Sequence, residues 1–325
     1  MPGKRLVLCL LVALIVLGAC AASSPWRAKH YRDHPLAGRI WNVAEARFVD
    51  RAELFAALTP APFILLGETH DNPDHHLLQA EIVTALTGAG RRPVLAFEMF
   101  DMSQAAALSR HLARSPEDAV GIAEAIGWKK SGWPDWALYR PVAEAGLRAG
   151  LELRAANMSR SEARALAQSG LAGAPPERVQ GLHLDRPLPE THQENLKHEI
   201  DSAHCGYAPK EMIEAMAFAQ FARDAHMARE MSSGEDRDGA LLITGAGHAR
   251  RDRGVPFHLR RMAPGRTIIS LAFLEVSEGE VAATAYAEPF GGATLPFDYV
   301  WFTPRVDIRD ACERFEEQLK KMRGE

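Results

Sequence analysis

The sequence predicts an α/β fold: a mostly parallel central sheet flanked by helices, with an antiparallel edge and a helical insertion acting as a lid. Three observations carry this reading. Five short runs are continuously apolar instead of alternating, as suits strands covered on both faces. Helical patterns lie between those runs, and strand–helix alternation is the mark of parallel pairing through crossovers. One stretch, roughly 175–235, has little strand character and much helix, with Pro175, Pro176, Pro187 and Pro189 at its entrance.

In chain order, the sequence opens with Lys4 and Arg5 and continues through residues 6–19 without a charge. A basic start before so short an apolar run is the layout of a secretory signal, too short to span a bilayer comfortably. The run ends Leu17-Gly18-Ala19-Cys20, which resembles the lipobox of bacterial lipoproteins: small side chains beside the cut, then a thiol to carry lipid. Residues 1–19 are therefore expected to be removed and Cys20 lipidated, anchoring the protein to a membrane of the cell envelope. Ala21 in place of Asp points to the outer membrane. Residues 20–40 read as a polar tether and 41–325 as the folded domain.

The five buried-strand runs are FILLG (63–67), VLAFE (94–98), LELRAAN (151–157), LLITGAG (241–247) and TIISLAFLE (267–275). Between them, residues 74–90, 103–113, 141–150 and 158–170 carry helical patterns. VAATAYAE (281–288) and FDYVWFTP (297–304) have no helix between them and are expected to form the antiparallel edge. The charged segment 307–322 reads as a C-terminal helix. A formal net charge of −4 gives no electrostatic case for nucleic acid. Besides Cys9 and Cys20, only Cys205 and Cys312 remain. They could pair in an oxidising envelope, but two cysteines this far apart do not make a disulfide framework.

Chemistry concentrates where strands end. The first buried strand runs into Gly67-Glu68-Thr69-His70, the second into Phe97-Glu98-Met99-Phe100, a later one into Gly245-Ala246-Gly247-His248. Ligands of open α/β sheets bind beyond the carboxyl ends of the strands. Glu68, His70, Glu98 and His248 there suit either an acid/base set or a divalent metal. Trp133, Trp136 and Tyr139 read equally as core or pocket wall, and Asn157 closes the third strand at the same edge. A second group lies in the insertion, at His204-Cys205-Gly206-Tyr207, just before a helix starting near Lys210. Tyr, His and Cys all ligate haem iron in proteins. On that helix Met212, Met216, Gln220, Arg223, Met227 and Met231 fall within an arc of about 100°. Such a stripe is most often core. An Arg on a methionine-lined wall otherwise suits a flat apolar ligand bearing carboxylates.

These segments, LLGETHDNPDHH, FEMF, WPDWALYRP, HCGYAP with AQFARDAHMA, and GAGHARRDRGVP, resemble in order the ChaN family of haem-binding lipoproteins. Tiki, TraB and erythromycin-esterase groups are similar more distantly, and use comparable Glu and His residues for metal-dependent or acid/base hydrolysis. The resemblance implies a homodimer enclosing stacked haems. It implies iron ligation by a lid tyrosine, here Tyr207, and a partner-chain histidine, here His204, with His198 and His192 as alternatives. Met216 and Arg223 would line the haem, and the role would be iron or haem acquisition or storage. The alternative is an envelope hydrolase using Glu68, His70, Glu98 and His248, with or without a metal.

Overall fold

The computed structural model describes residues 26–234, 238–310 and 312–313. Its elements in chain order are β1 (Ile40–Asn42), β2 (Arg47–Val49), α1 (Arg51–Leu58), β3 (Phe63–Glu68), α2 (Pro73–Gly88), β4 (Val94–Asp101), α3 (Ala105–Arg114), α4 (Ile122–Ala125), α5 (Trp136–Arg148), β5 (Leu153–Asn157), α6 (Arg160–Ser169), α7 (Pro176–Gly181), α8 (Glu190–Ala203), α9 (Lys210–Ser232), β6 (Ala240–Gly245), α10 (Val255–Met262), β7 (Ile268–Glu275) and β8 (Tyr299–Thr303). One sheet holds every strand, in the order β2-β1-β8-β7-β3-β6-β4-β5. Pairing is parallel from β8 through β5.

The continuous apolar runs have the predicted cause. Successive side chains of a strand point to opposite faces, and here both faces are covered. Ile64, Leu66, Leu95 and Phe97 enter a core with α1, α2 and α5, while Phe63, Leu65, Val94 and Ala96 enter a second core with Met227 and Met231 of α9. Met227 and Met231 are thus core residues. The methionine stripe splits along its length, with Met212 at the start of α9 exposed. The insertion is helical, and a third, smaller core joins Leu182, Leu188 and Leu196 to Phe221 and Ala225 of α9. Among the described residues no helix is long and apolar enough to cross a membrane.

Two expectations need correction. The antiparallel edge is not built from residues 281–288; it is β1, antiparallel to both β2 and β8. Residues Ala283–Phe290 form a 3₁₀ helix, because its buried positions, Ala283, Tyr286 and Ala287, follow helical and not alternating spacing, and Pro289 has no N–H for a ladder. The tether does not reach residue 40. Ala28 and Leu36 are buried, and the Arg27 and Ala28 amides both donate to the Asp74 carboxylate, at 2.8 and 2.9 Å. Cys205 and Cys312 are joined as a disulfide, Cα to Cα 5.7 Å, because the fold brings together residues that sequence separation had made an unpromising pair. Residues 1–25 with Cys20, and most of the expected C-terminal helix, lie outside the described residues.

Candidate functional site

Strand register assembles the first site. Glu68 stands opposite Gly245, and Phe97 opposite Ile243, so Glu98 lies beside Thr244. β3 and β4 flank β6 on either side, both parallel to it, and so deliver both carboxylates to one edge. Glycine is required where the loop after β6 crosses β3: a Cβ on Gly67 would lie 2.8 Å from that of Ala249.

Glu68 is held between two histidines. Its Oε1 is 3.0 Å from His70 Nδ1 and its Oε2 is 2.9 Å from His76 Nδ1. His76 Nε2 donates to the His70 carbonyl at 3.1 Å, and Gln79, whose Nε2 donates to the Leu66 carbonyl, turns its oxygen to His76 Nδ1 at 3.2 Å. With acceptors at both nitrogens, His76 is an imidazolium. Burial would raise the Glu68 carboxyl, but the His76 charge and both hydrogen bonds outweigh it and bring it down to about 2.

Glu98 is held the same way. Its Oε2 accepts from Thr244 Oγ1 at 2.7 Å and from the Gly245 amide at 2.8 Å. Its Oε1 faces His248 Nε2 at 3.2 Å, and His248 Nδ1 lies 2.5 Å from Asp224 Oδ1 on α9. Burial opposes charge on His248, but Glu98 and Asp224 override it and raise the ring to about 10. Burial likewise opposes ionisation of Glu98, and the His248 charge holds it well below the carboxylate range. The result is a buried alternation of carboxylates and imidazoliums.

This arrangement limits its own chemistry. His248 is clamped between two carboxylates and has no free lone pair to accept a proton. His70 differs. Its side chain is 35% exposed, and it packs on Gly245 and edge-on against Trp133, with ring centroids 4.9 Å apart. Burial lowers it, but the Glu68 hydrogen bond and the Glu98 charge leave it raised overall. Of the four strand-end residues, His70 is the one open to exchange protons. Among the described residues no three His, Cys, Asp or Glu side chains converge on a position for a metal ion. Trp128, Trp136 and Tyr139 are an aromatic core against Phe100, whereas Trp133 is pocket wall.

The buried histidines give a stability profile with a worked sign. His75, His226 and His258 are neutral and lowered to about 3, chiefly by burial. The unfolded chain protonates them below about pH 6.5 while the folded chain does not, so stability falls there. His248, raised to about 10, contributes stability below about pH 6.5 that is lost as pH rises towards 10. His70 and His76, also raised, act in that same alkaline direction. Thermal midpoints measured from pH 4.5 to 9.5 should peak near about 6.5. A plateau across that range would contradict the charge assignments.

The second group sits on the lid. α8 ends at His204, and Cys205 and Gly206 then take left-handed backbone angles, φ 55° and 69°, turning the chain so that the Tyr207 amide donates back to the His204 carbonyl at 2.9 Å. His204 Nδ1 donates to the Ile200 carbonyl at 2.7 Å. This fixes the tautomer with Nε2 as the basic nitrogen, a metal-ligand state of imidazole. The disulfide at Cys205 pins this turn. Glu199 holds α8 against the loop after β6, pairing with the buried Arg250 (2.9 Å) and with Arg253. His192 lies 3.8 Å from Asp252 and His198 is exposed.

Of the residues expected around haem, the structure brings His204 and Tyr207 into one turn. Met216 and Arg223 instead line a groove of about 390 Å³ with Arg160 and Ala163 of α6. The sequence reading missed Asp224 and His76. The available signals were the i, i+4 spacing from Gln220, whose side-chain amide lies 2.9 Å from His248 Nε2, and the His pair in the first turn of α2.

No curated protein sequence matches the chain. A ChaN structure from Campylobacter jejuni with cofacially bound haem is 21% identical, covers 81% of this chain and 95% of its own, and superposes with a TM-score of 0.64, which shows a shared fold. An erythromycin esterase, EreC, in its open conformation is 14% identical over 79% of this chain and 95% of its own, with a TM-score of 0.43. The profile of a family described as haem-binding uptake, Tiki superfamily, ChaN matches residues 54–259. The chain belongs to that ChaN family of the Tiki superfamily.

Proposed function

We propose that this protein binds haem on the lid turn, with Tyr207 ligating the iron and His204 of a second copy beside it. One observation carries the assignment. His204 spends its Nδ1–H on the Ile200 carbonyl and keeps Nε2 as a donor to iron, in the same turn as a half-buried phenol. Phenolate and imidazole are both haem-iron ligands, and the exposed Met212 in the first turn of α9 supplies apolar surface for a macrocycle. A bound haem would contribute the redox-active iron. The chain's own part is to hold the two ligand atoms in a turn fixed by the disulfide and to keep water from one face of the ring.

The physiological role consistent with this site and with the leader is haem or iron acquisition or storage by a homodimeric lipoprotein of the cell envelope, anchored at the outer membrane. The test of haem binding is a titration of the purified mature protein followed by visible absorbance, with sedimentation run in parallel. Saturable binding with a shifted Soret band and association to a dimer are expected, and an unshifted spectrum would refute the ligand set. For the anchor, Cys20→Ser should move the protein from the membrane fraction to the soluble fraction. Retention in the membrane would refute lipidation at that residue.

A further inference from the structure

A cavity of about 500 Å³ opens beside the strand-end cluster, lined by Glu98, Trp133, Asn157, Arg160, Arg223 and Lys130 among others. It is distinct from the His204–Tyr207 turn, none of whose residues line it. Two buried polar atoms on its wall lack hydrogen-bond partners: the donor Arg223 Nε and the acceptor Asn157 Oδ1. Asn157 is only 6% exposed. Unmet polar atoms at such depth are costly, which in a folded protein marks the place of a bound group.

The charges agree with one sign of ligand. Lys130, Arg160 and Arg223 make no ion pair among the described residues. The two acids on the wall are already engaged: Glu98 by Thr244, the Gly245 amide and His248, and Asp101 by the Ser103 amide at 2.8 Å. Cations in a cavity whose acids are engaged favour an anion, and a guanidinium fork matches carboxylate and phosphate geometry. Trp133, Ile126 and Met158 add apolar wall, and the volume is that of a small-molecule pocket.

We propose that this cavity binds a small molecule bearing an oxyanion, a carboxylate or a phosphate, seated on Arg223 and Arg160, with a hydrogen-bond donor of the same molecule directed at Asn157 Oδ1. The site is independent of haem; Glu98 of the strand-end cluster lines it directly, and His70 packs behind its wall residue Trp133.

The experiment is isothermal titration of the mature protein, at constant ionic strength, with inorganic phosphate in one arm and citrate in the other. Saturable binding of either probe is expected, and the arm that binds names the oxyanion. Arg223→Met and Asn157→Leu should each weaken it by roughly 10–100-fold. Arg223→Lys keeps the charge and stem while removing the buried Nε–H, and should weaken binding less. Near-ultraviolet circular dichroism and the haem titration report whether each variant is folded, since the lid turn is elsewhere. No saturable binding of either probe by folded wild type would overturn the proposal, as would binding unchanged in both Arg223→Met and Asn157→Leu.

Discussion

Tyr207→Phe is expected to abolish the ligand-shifted ferric haem spectrum while leaving the protein folded. The substitution removes one oxygen from a half-buried side chain on a lid turn, and the ring that packs there is kept. Loss of even an outer-sphere partner of a metal ligand typically costs about 10–100-fold in affinity, so loss of the ligand atom itself should cost at least that. His204→Ala should instead leave the tyrosinate band in place and weaken haem-driven dimerisation, if, as proposed, its Nε2 serves the haem of a second copy. The measurement is a haem titration of wild type and both variants by visible absorbance, with near-ultraviolet circular dichroism as the folding control. A Tyr207→Phe spectrum identical to wild type would move the ligand elsewhere.

His248→Ala carries the largest expected effect on stability. It deletes the cation between Glu98 and Asp224, both buried carboxylates. Removing one partner of a buried pair leaves an uncompensated charge and costs roughly 3–5 kcal/mol. The size of that number comes from the stranded partner and not from the attraction alone. Adding Glu98→Gln to His248→Ala should therefore recover part of the loss, since the neutral amide still accepts from Thr244 and the Gly245 amide. Urea denaturation of the two single variants and the double variant closes the cycle. A loss below about 1 kcal/mol for His248→Ala would show that this ion triad is solvated and not buried.

Much of this molecule is legible in one dimension because its determinants are local. Apolar runs of strand length separated by helical patterns specify a doubly covered parallel sheet. The rule that ligands sit beyond strand carboxyl ends then selects Glu68, Glu98 and His248 without any structure. The His-Cys-Gly-Tyr turn is local too: four consecutive residues, one of them glycine, carry both candidate iron ligands.

What the sequence could not place depends on contacts between distant segments. The apolar content of residues 281–288 suits a strand, but burial of Ala283, Tyr286 and Ala287 on one side makes a helical turn. Trp26–Arg39 looked like a tether because its few apolar side chains gain burial only where Asp74 and β8 receive them. Asp224 became the partner of His248 only when α9 crossed the sheet, and the same crossing sets Arg223 in the wall of the cavity beside Asn157. Cys205 met Cys312 across 107 residues. The sequence by itself determined the element types, the sheet class and which strand ends carry chemistry, since these follow from periodicity and side-chain type within a few residues. The tertiary structure alone decided which charges neutralise one another and which remain open to a ligand, because buried electrostatics depends on distances of a few ångströms between side chains that lie far apart along the chain.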